Sequence, residues 1–510
     1  MSNEFYARKG LAIGTASLDG SGGTPRVLVL GSDNVVKYRN NISSGSSVTA
    51  AAPTFSVQIS DGTGLTGYGI MDHNRGNISL NRPGYLITSQ LSCNTFVGAS
   101  AGAGTVANPN TASGNVFVGY KAGVSNTNGT LNSFLGTDTG VNVCSGACNT
   151  LLGNSIGGQL TTQSKNTFIG TEAGKSTTMS DSVLIGFQAG CGSSLGAACA
   201  QNVMVGNCSG MFTTSGAYNT FIGFASGQCN TIGTRNVYIG TEAGFFSCSA
   251  QDNVFVGFQA GKVVTQTTAC STLNTFVGVC AGVKTNSGVR NTFIGSCTGL
   301  ENLGTSDNVF IGACAGSKAT STCNTIIGAC AGSACTITGT SSVFIGYQTG
   351  LNNTCGTNNT YIGAFSGCAG TQSRDNVYIG TSAGQRATSN CNTIIGACAG
   401  SALLAGTSSV FIGYMSGLNN TSGFGNTFMG ICSGSSNQTG CFNIIIGACA
   451  NTSTGFCNSI AIGTCAVITA SNQLVLGSSQ NPIGTDTIGT FNQFLCARIN
   501  GANYKIPLYT

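Results

Sequence analysis

The sequence has no tryptophan, one histidine, six prolines and only 6 % charged residues. Each scarcity closes off a class of protein. A single histidine, His73, leaves no His-based metal site, and no C-x-x-C pair is present to build a zinc cluster; Cys144 and Cys148 come nearest and stand alone. Nineteen Lys and Arg against fourteen Asp and Glu give a net charge of +5, thinly spread, with none of the basic stretches that a nucleic-acid face needs. No apolar run approaches the roughly 18 residues of a membrane span. The opening MSNEFYARKGLAIG lacks the apolar core and cleavage site of a secretory signal, which predicts synthesis in a cytoplasm and no export by the usual route.

What is present in excess is glycine, at 78 residues, and cysteine, at 25. In a long chain expected to stay in a cytoplasm, the cysteines read as free thiols acting as small apolar side chains rather than as a disulfide framework. Low charge and abundant glycine would suit disorder. The hydrophobic residues, however, are 41 % of the chain and recur at fixed spacing.

That spacing decides the fold. NTFVG (94–98), NVFVG (115–119), NSFLG (132–136), NTLLG (149–153) and NTFIG (166–170) begin a series that runs to SIAIG (459–463) and QLVLG (473–477). There are 23 copies, mostly 16–18 residues apart; Asn opens 18 of them and Ser four more. A second glycine usually follows four residues after the first, as at Gly102, Gly174, Gly316 and Gly400, behind a small residue such as Ala101, Ala173, Ala315 or Ala399. The β-branched and aromatic run makes a short strand. Two glycines per unit and turns of Ser, Thr, Asn and Gly leave no room for a helix. A period near 17 is too short for a helix pair and fits one coil of a parallel β-solenoid. The first glycine is expected where a coil turns or approaches its neighbour closely, and the recurrent Asn is expected to stack its amide on the copies above and below. Representative core triplets are Phe168-Ile169-Gly170, Phe293-Ile294-Gly295 and Phe310-Ile311-Gly312.

Alternation along a strand points Phe to one side and Ile with Thr or Val to the other. Both sides are apolar, and one coil can enclose only one of them, so the sequence predicts a partner for the other: identical chains about an axis, with a homotrimer favoured. Burying Phe and Ile contributes about 1.5–3 kcal/mol each. Ordering a coil costs roughly 1.5 kcal/mol per residue, so no coil stands alone. The argument for partners carries its own test: phenylalanines of successive rungs lining a closed single-chain interior, or exposed to solvent, would undo it.

The organisation read from the sequence is an N-terminal β domain for attachment or trimerisation (1–90), a solenoid (91–470) and a C-terminal cap (471–510). Extra residues at 103–113, 191–201 and 262–273 mark outward loops and candidate contacts. NTIIGACAGSA occurs at 324–334 and again at 392–402, a sign of duplication. Cysteines two residues after the first glycine form a column, Cys280, Cys297, Cys314 and Cys330, continued at Cys398, Cys432, Cys449 and Cys465. It is expected to be a thiol ladder filling a tight space. Hydrolysis of a glycan needs two carboxylates about 5–10 Å apart. Glu172 and Glu242 hold equivalent slots but four coils apart, about 19 Å at the spacing of β-strands. His73 beside Asp72 reads as a polar loop residue. No enzymatic activity, cofactor or metal is expected.

The phrase NSIAIGTCA (458–466), with NTFIGTEAG (166–174) and NVFIGACAG (308–316), resembles the head repeat of trimeric autotransporter adhesins. That resemblance, over about residues 91–480, implies a parallel β-roll in which three chains associate. Here the coil is longer than in that family. The flanks GTPRVLVLGSDNVVKYRN (23–40) and ARINGANYKIPLYT (497–510) resemble terminal pieces of fibre proteins from tailed phages and large DNA viruses. Together they imply a trimeric fibre or spike of a virus or phage, made in the host cytoplasm and displayed on the virion. Residues 1–90 would bind a virion or tail anchoring protein, and the shaft, about 110 Å long from 23 rungs, would present a site for a host surface glycan or protein. A bacterial surface adhesin head and a glycan-degrading tailspike are the alternatives.

Overall fold

In the computed structural model the chain is all-β in its described parts. These are residues 94–104, 112–192, 200–262, 271–334 and 336–480, together with backbone strands within 5–81 and 494–507. Twenty-three three-residue strands, from Thr95–Val97 to Leu474–Leu476, form one parallel ladder, one strand per glycine-closed unit. Register is constant: Thr292 faces Val309, Phe293 faces Phe310 and Ile294 faces Ile311, and the same three slots pair at every rung. This is the parallel β-solenoid that the period predicts.

The reason for that register is chemical identity along the stack. At each slot a side chain meets its own kind or one of similar character in the next coil (Phe on Phe or Ile, Thr on Val), and a one-residue slip would turn every Phe outward. The middle residue of each strand faces inward. Phe221, Tyr238, Phe255, Phe276, Phe293 and Phe310 stack ring on ring, with centroids 4.7–4.9 Å apart and planes within 5–8°. Phe168, Phe293 and Phe310 are completely buried within the one chain. This corrects the argument for partner chains as far as the phenylalanines carry it, because a coil of about 17 residues is wide enough to close over a ring without help.

Both glycines serve this core. Gly170 has φ +123°, and a Cβ there would lie 2.6 Å from the carbonyl oxygen of Gly186 in the next coil, so the first glycine is the point of close approach between backbones. Gly174 has φ +57°, and its Cβ would lie 2.5 Å from the Phe168 ring. The second glycine thus exists to let the aromatic ring lie flat against the backbone.

The buried Asn column is the polar counterpart. Asn236 Nδ2 donates to Asn219 Oδ1 (3.1 Å) and to the Ala250 carbonyl (2.7 Å), while its Oδ1 accepts the backbone N–H of Asn253 (3.1 Å). Where Ser replaces Asn, its hydroxyl keeps the acceptor role, as Ser342 Oγ does for the Asn359 N–H (3.3 Å), and donates to the carbonyl two residues back in its own coil, Thr340 (3.4 Å). Each coil is therefore hydrogen-bonded to the next at a turn as well as through the strand.

Contacts divide the chain into two units, Met1–Phe55 with Asp72–Asn74, and Ser56–Met71 with Arg75–Thr510. The first contains the antiparallel pairs Phe5–Ala7 with Leu11–Ile13 and Arg26–Leu30 with Val36–Asn40. In the second, Asn77–Asn81 pairs in parallel with Thr95–Val97, so the ladder reaches into the N-terminal 90 residues. At its far end the core residue shrinks from Phe428 through Ile445 to Ala461, and Asn451–Thr452 pairs with Val467–Ile468 where the second glycine is lost. Phe494–Ile499 and Ala502–Pro507 form an antiparallel hairpin.

Candidate functional site

With the interior closed, chemistry belongs to the side chains that leave the coil. Three kinds of outward column are present. The first is the strand face. Ile294 is 39 % exposed, Leu135 49 % and Ile462 44 %, while Ile169 and Ile311 are half-buried. Beside this face, the residue after the first glycine is often large and apolar and about half exposed: Tyr120, Phe187, Phe224, Phe258, Tyr347 and Tyr414. Scattered apolar residues on a surface mean little; a contiguous band of them, repeated coil after coil, marks an interaction surface.

The other two kinds sit at corners where the backbone takes a left-handed conformation. Forty-two described non-glycine residues have positive φ, close to two per coil. One corner is the residue two after the first glycine, and the other is the residue before the Asn. Such conformations are costly for ordinary side chains. They persist because the ladder dictates them: at the first corner the Cys297 N–H donates to the Val279 carbonyl of the preceding coil (2.8 Å), and Cys314 does the same to Ser296 (2.8 Å). The sequence pattern announces these corners only weakly: Asp and Asn, which favour left-handed φ, stand at some of them, as at Asp252, Asp307 and Asn358, but most carry residues such as Glu, Gln, Cys, Arg and Lys.

The corner before the Asn holds charges of alternating sign. Arg235 binds Asp252 in the next coil through Nε–Oδ1 (2.6 Å) and Nη2–Oδ2 (2.9 Å), and Arg290 binds Asp307 with the same two distances. Hydrogen bonding from the guanidinium holds each aspartate below the usual carboxylate range. A spacing of 17 between opposite charges was the signal available for these pairs. They are exposed and contribute little to stability on their own.

The first corner holds Glu172 and Glu242, then cysteines. Glu172 accepts from Lys175 Nζ (2.6 Å) and Gln188 Nε2 (2.8 Å), and Glu242 from Lys262 Nζ and Gln259 Nε2 (both 2.7 Å). These hydrogen bonds lower both carboxyl pKa values, so each carboxylate is committed to a neighbour and stays ionised. The structure does not bring the two glutamates together; they lie four coils apart.

Cys280, Cys297, Cys314 and Cys330 follow at the same corner in four consecutive coils, with φ of 55–57°. The column is in register, but the left-handed corner turns it outward and leaves each thiol half-buried, so these cysteines do not fill a tight space as the sequence suggested. Cys144 and Cys148 are exposed free thiols. Among the described residues no three His, Cys, Asp or Glu converge on one metal position, and no helix is long and apolar enough to cross a membrane. His73 and most of the loops at 103–113, 191–201 and 262–273 lie outside the described residues.

No protein-family model matches the chain, and neither a curated protein nor a solved structure does.

Proposed function

We propose that the chain is the shaft of a structural fibre or spike on a virus or phage particle. Three copies would associate along the outer strand faces, residues 1–90 would attach to the virion or tail, and the exposed corners and loops would meet a host surface. One observation carries the proposal: the interior is already closed by a single chain, yet the outward Ile, Leu and Val column stays 36–49 % exposed at many rungs, including Leu135, Ile239, Ile294 and Ile446. A chain working alone gains nothing from apolar residues there, whereas a symmetric assembly buries the same column from every copy. Low charge and a hydrogen bond to the next coil at every turn suit a scaffold that holds a surface at a distance.

The test is the mass of the full chain in solution. Sedimentation equilibrium is expected to give about three times the 51.1 kDa of one chain, and electron micrographs an elongated particle. Replacing Ile222, Ile239 and Ile294 with Thr, a residue that already fills the other outward slot at Thr220 and Thr292, is expected to release monomers that keep their β-sheet circular dichroism. A compact monomer at micromolar concentration in the unaltered protein would end the proposal.

A further inference from the structure

The sulfur at the first corner is more continuous than the cysteine column alone suggests. From Cys280 onward the corner slots are Cys280, Cys297, Cys314 and Cys330, then Gln348, Phe365 and Ser382, then Cys398, Met415, Cys432, Cys449 and Cys465. Nine of these twelve consecutive slots carry sulfur, against one of the ten before them, Cys208. Backbone preference does not explain this, because left-handed φ favours Asn, Asp and Gly. Core filling does not explain it either, because Cys449 is exposed and the other cysteines are half-exposed. A free thiol on a surface is a liability unless it has a use.

The geometry supplies one. All nine residues share φ of 53–57°, and each N–H donates to the coil before it, so their Cα–Cβ bonds run parallel at the rung spacing. The stacked rings set that spacing at 4.7–4.9 Å. Side chains at this corner reach along the stack: Cys280 Sγ lies 3.9 Å from Gln259 Oε1 of the preceding coil, and Cys208 Sγ 3.9 Å from Gln188 Oε1. A metal–thiolate bond is about 2.3 Å, so two in line span about 4.6 Å, the distance between neighbouring rungs. No third ligand converges among the described residues, which disfavours a tetrahedral zinc site and leaves two-coordinate binding by a soft cation. Thiolate and thioether together select Cu(I).

We propose that the sulfur columns at 280–330 and 398–465 bind Cu(I), each ion held in line between sulfurs of adjacent coils. Two thiols and one Cu(I) give one Cu–S₂ bridge and two released protons, with no change of oxidation state.

The experiment titrates the reduced full chain with Cu(I) under nitrogen against a coloured Cu(I) chelator. Two variants each remove two cysteines from the first run. C314S/C330S leaves the adjacent pair Cys280 and Cys297. C297S/C330S leaves Cys280 and Cys314 two rungs apart, about 9.6 Å. Serine already fills this corner at Ser100, Ser155 and Ser382, so both variants are expected to fold, which circular dichroism checks. The adjacent-pair variant is expected to hold about one ion fewer than the unaltered chain and the alternate variant about two fewer, one ion per thiolate pair. C323S/C391S, which removes two exposed thiols of the other corner, is expected to change nothing. X-ray absorption should show sulfur neighbours only. Equal losses in the two variants, an equal loss in the control, or nitrogen or oxygen ligation would overturn the proposal.

Discussion

Asn236 offers a sharp test of how the coils are held together. Replacing it with Ala removes the acceptor of the buried Asn253 N–H (3.1 Å) and the donor to the Ala250 carbonyl (2.7 Å), and leaves Asn219 Oδ1 without its Asn236 Nδ2 partner. A buried backbone group left unpaired costs about 1–3 kcal/mol, so the two backbone groups together predict a loss of roughly 2–6 kcal/mol. Asn236→Ser separates the contributions. A serine hydroxyl at this slot accepts the next coil's N–H, as Ser182 Oγ does for Asn202 (3.2 Å) and Ser409 Oγ for Asn426 (3.2 Å), but these two donate within their own coil, to Ser180 (2.8 Å) and Thr407 (3.2 Å), rather than to the next coil's turn. Serine should therefore cost about half as much as alanine. Because a solenoid couples mainly neighbouring coils, the damage should be local. Hydrogen exchange followed by mass spectrometry should show the Asn253 amide deprotected in the alanine variant and protected in the serine variant, with coils several rungs away unchanged. Equal deprotection in both, or none in either, would refute the claim that the side-chain ladder ties coil to coil.

Three further outcomes follow from the core. Phe293→Ala removes a ring stacked on Phe276 at 4.7 Å and on Phe310 at 4.8 Å, and is expected to cost about 3–5 kcal/mol in chemical denaturation. Phe293→Ile should cost clearly less, since Ile326, Ile394 and Ile445 occupy the same slot. Gly295→Ala places a Cβ 2.6 Å from the Gly312 carbonyl oxygen at φ +135°; the obstacle is backbone, so a loss of at least about 1–3 kcal/mol is expected in the same assay. At high pH the buried tyrosines matter. Burial pushes Tyr361 up to about 12, and Tyr238 and Tyr378 are pushed up by burial as well. An acid with a raised folded-state pKa adds stability that is complete below its free value of about 10 and is lost as pH rises through the folded value. Phenolate absorbance for these three should therefore appear only together with the loss of β-sheet signal, above the pH at which free tyrosine ionises.

How much of this was legible in the sequence depends on how often a feature repeats with one chemistry. Gly170 and Asn166 belong to slots that barely vary and Phe168 to one that stays apolar, and from them come the strand, the close approach of coils and the amide ladder. Which face of the strand lies inside was not legible from alternation, which sets Phe against Ile without choosing between them. The decisive clue was the second glycine, because Gly174 is needed only if the Phe168 ring folds back over its own turn. The corners were hidden for a different reason. Glu242, Cys297 and Arg235 hold a conformation that their own side chains disfavour, imposed by hydrogen bonds from the neighbouring coil. Local preference loses there to the ladder, and sequence reading rests on local preference.

The same division explains where variation is allowed. An inward slot must suit its neighbours above and below, because each ring, amide and glycine packs on the same slot of the adjacent coils. An outward corner meets only solvent and the corners of adjacent coils, so its residue is free of the core's demands. Random drift under that freedom would scatter Glu, Cys and Arg among the coils. Instead, opposite charges fall on adjacent coils at one corner, as in Arg235–Asp252 and Arg290–Asp307, and sulfur gathers in adjacent coils at the other. Order along a column that the fold does not require points to use of that column. The function of this chain is accordingly to be sought along the edges of its coils, in side chains spaced by the rung, rather than in any pocket within a single coil.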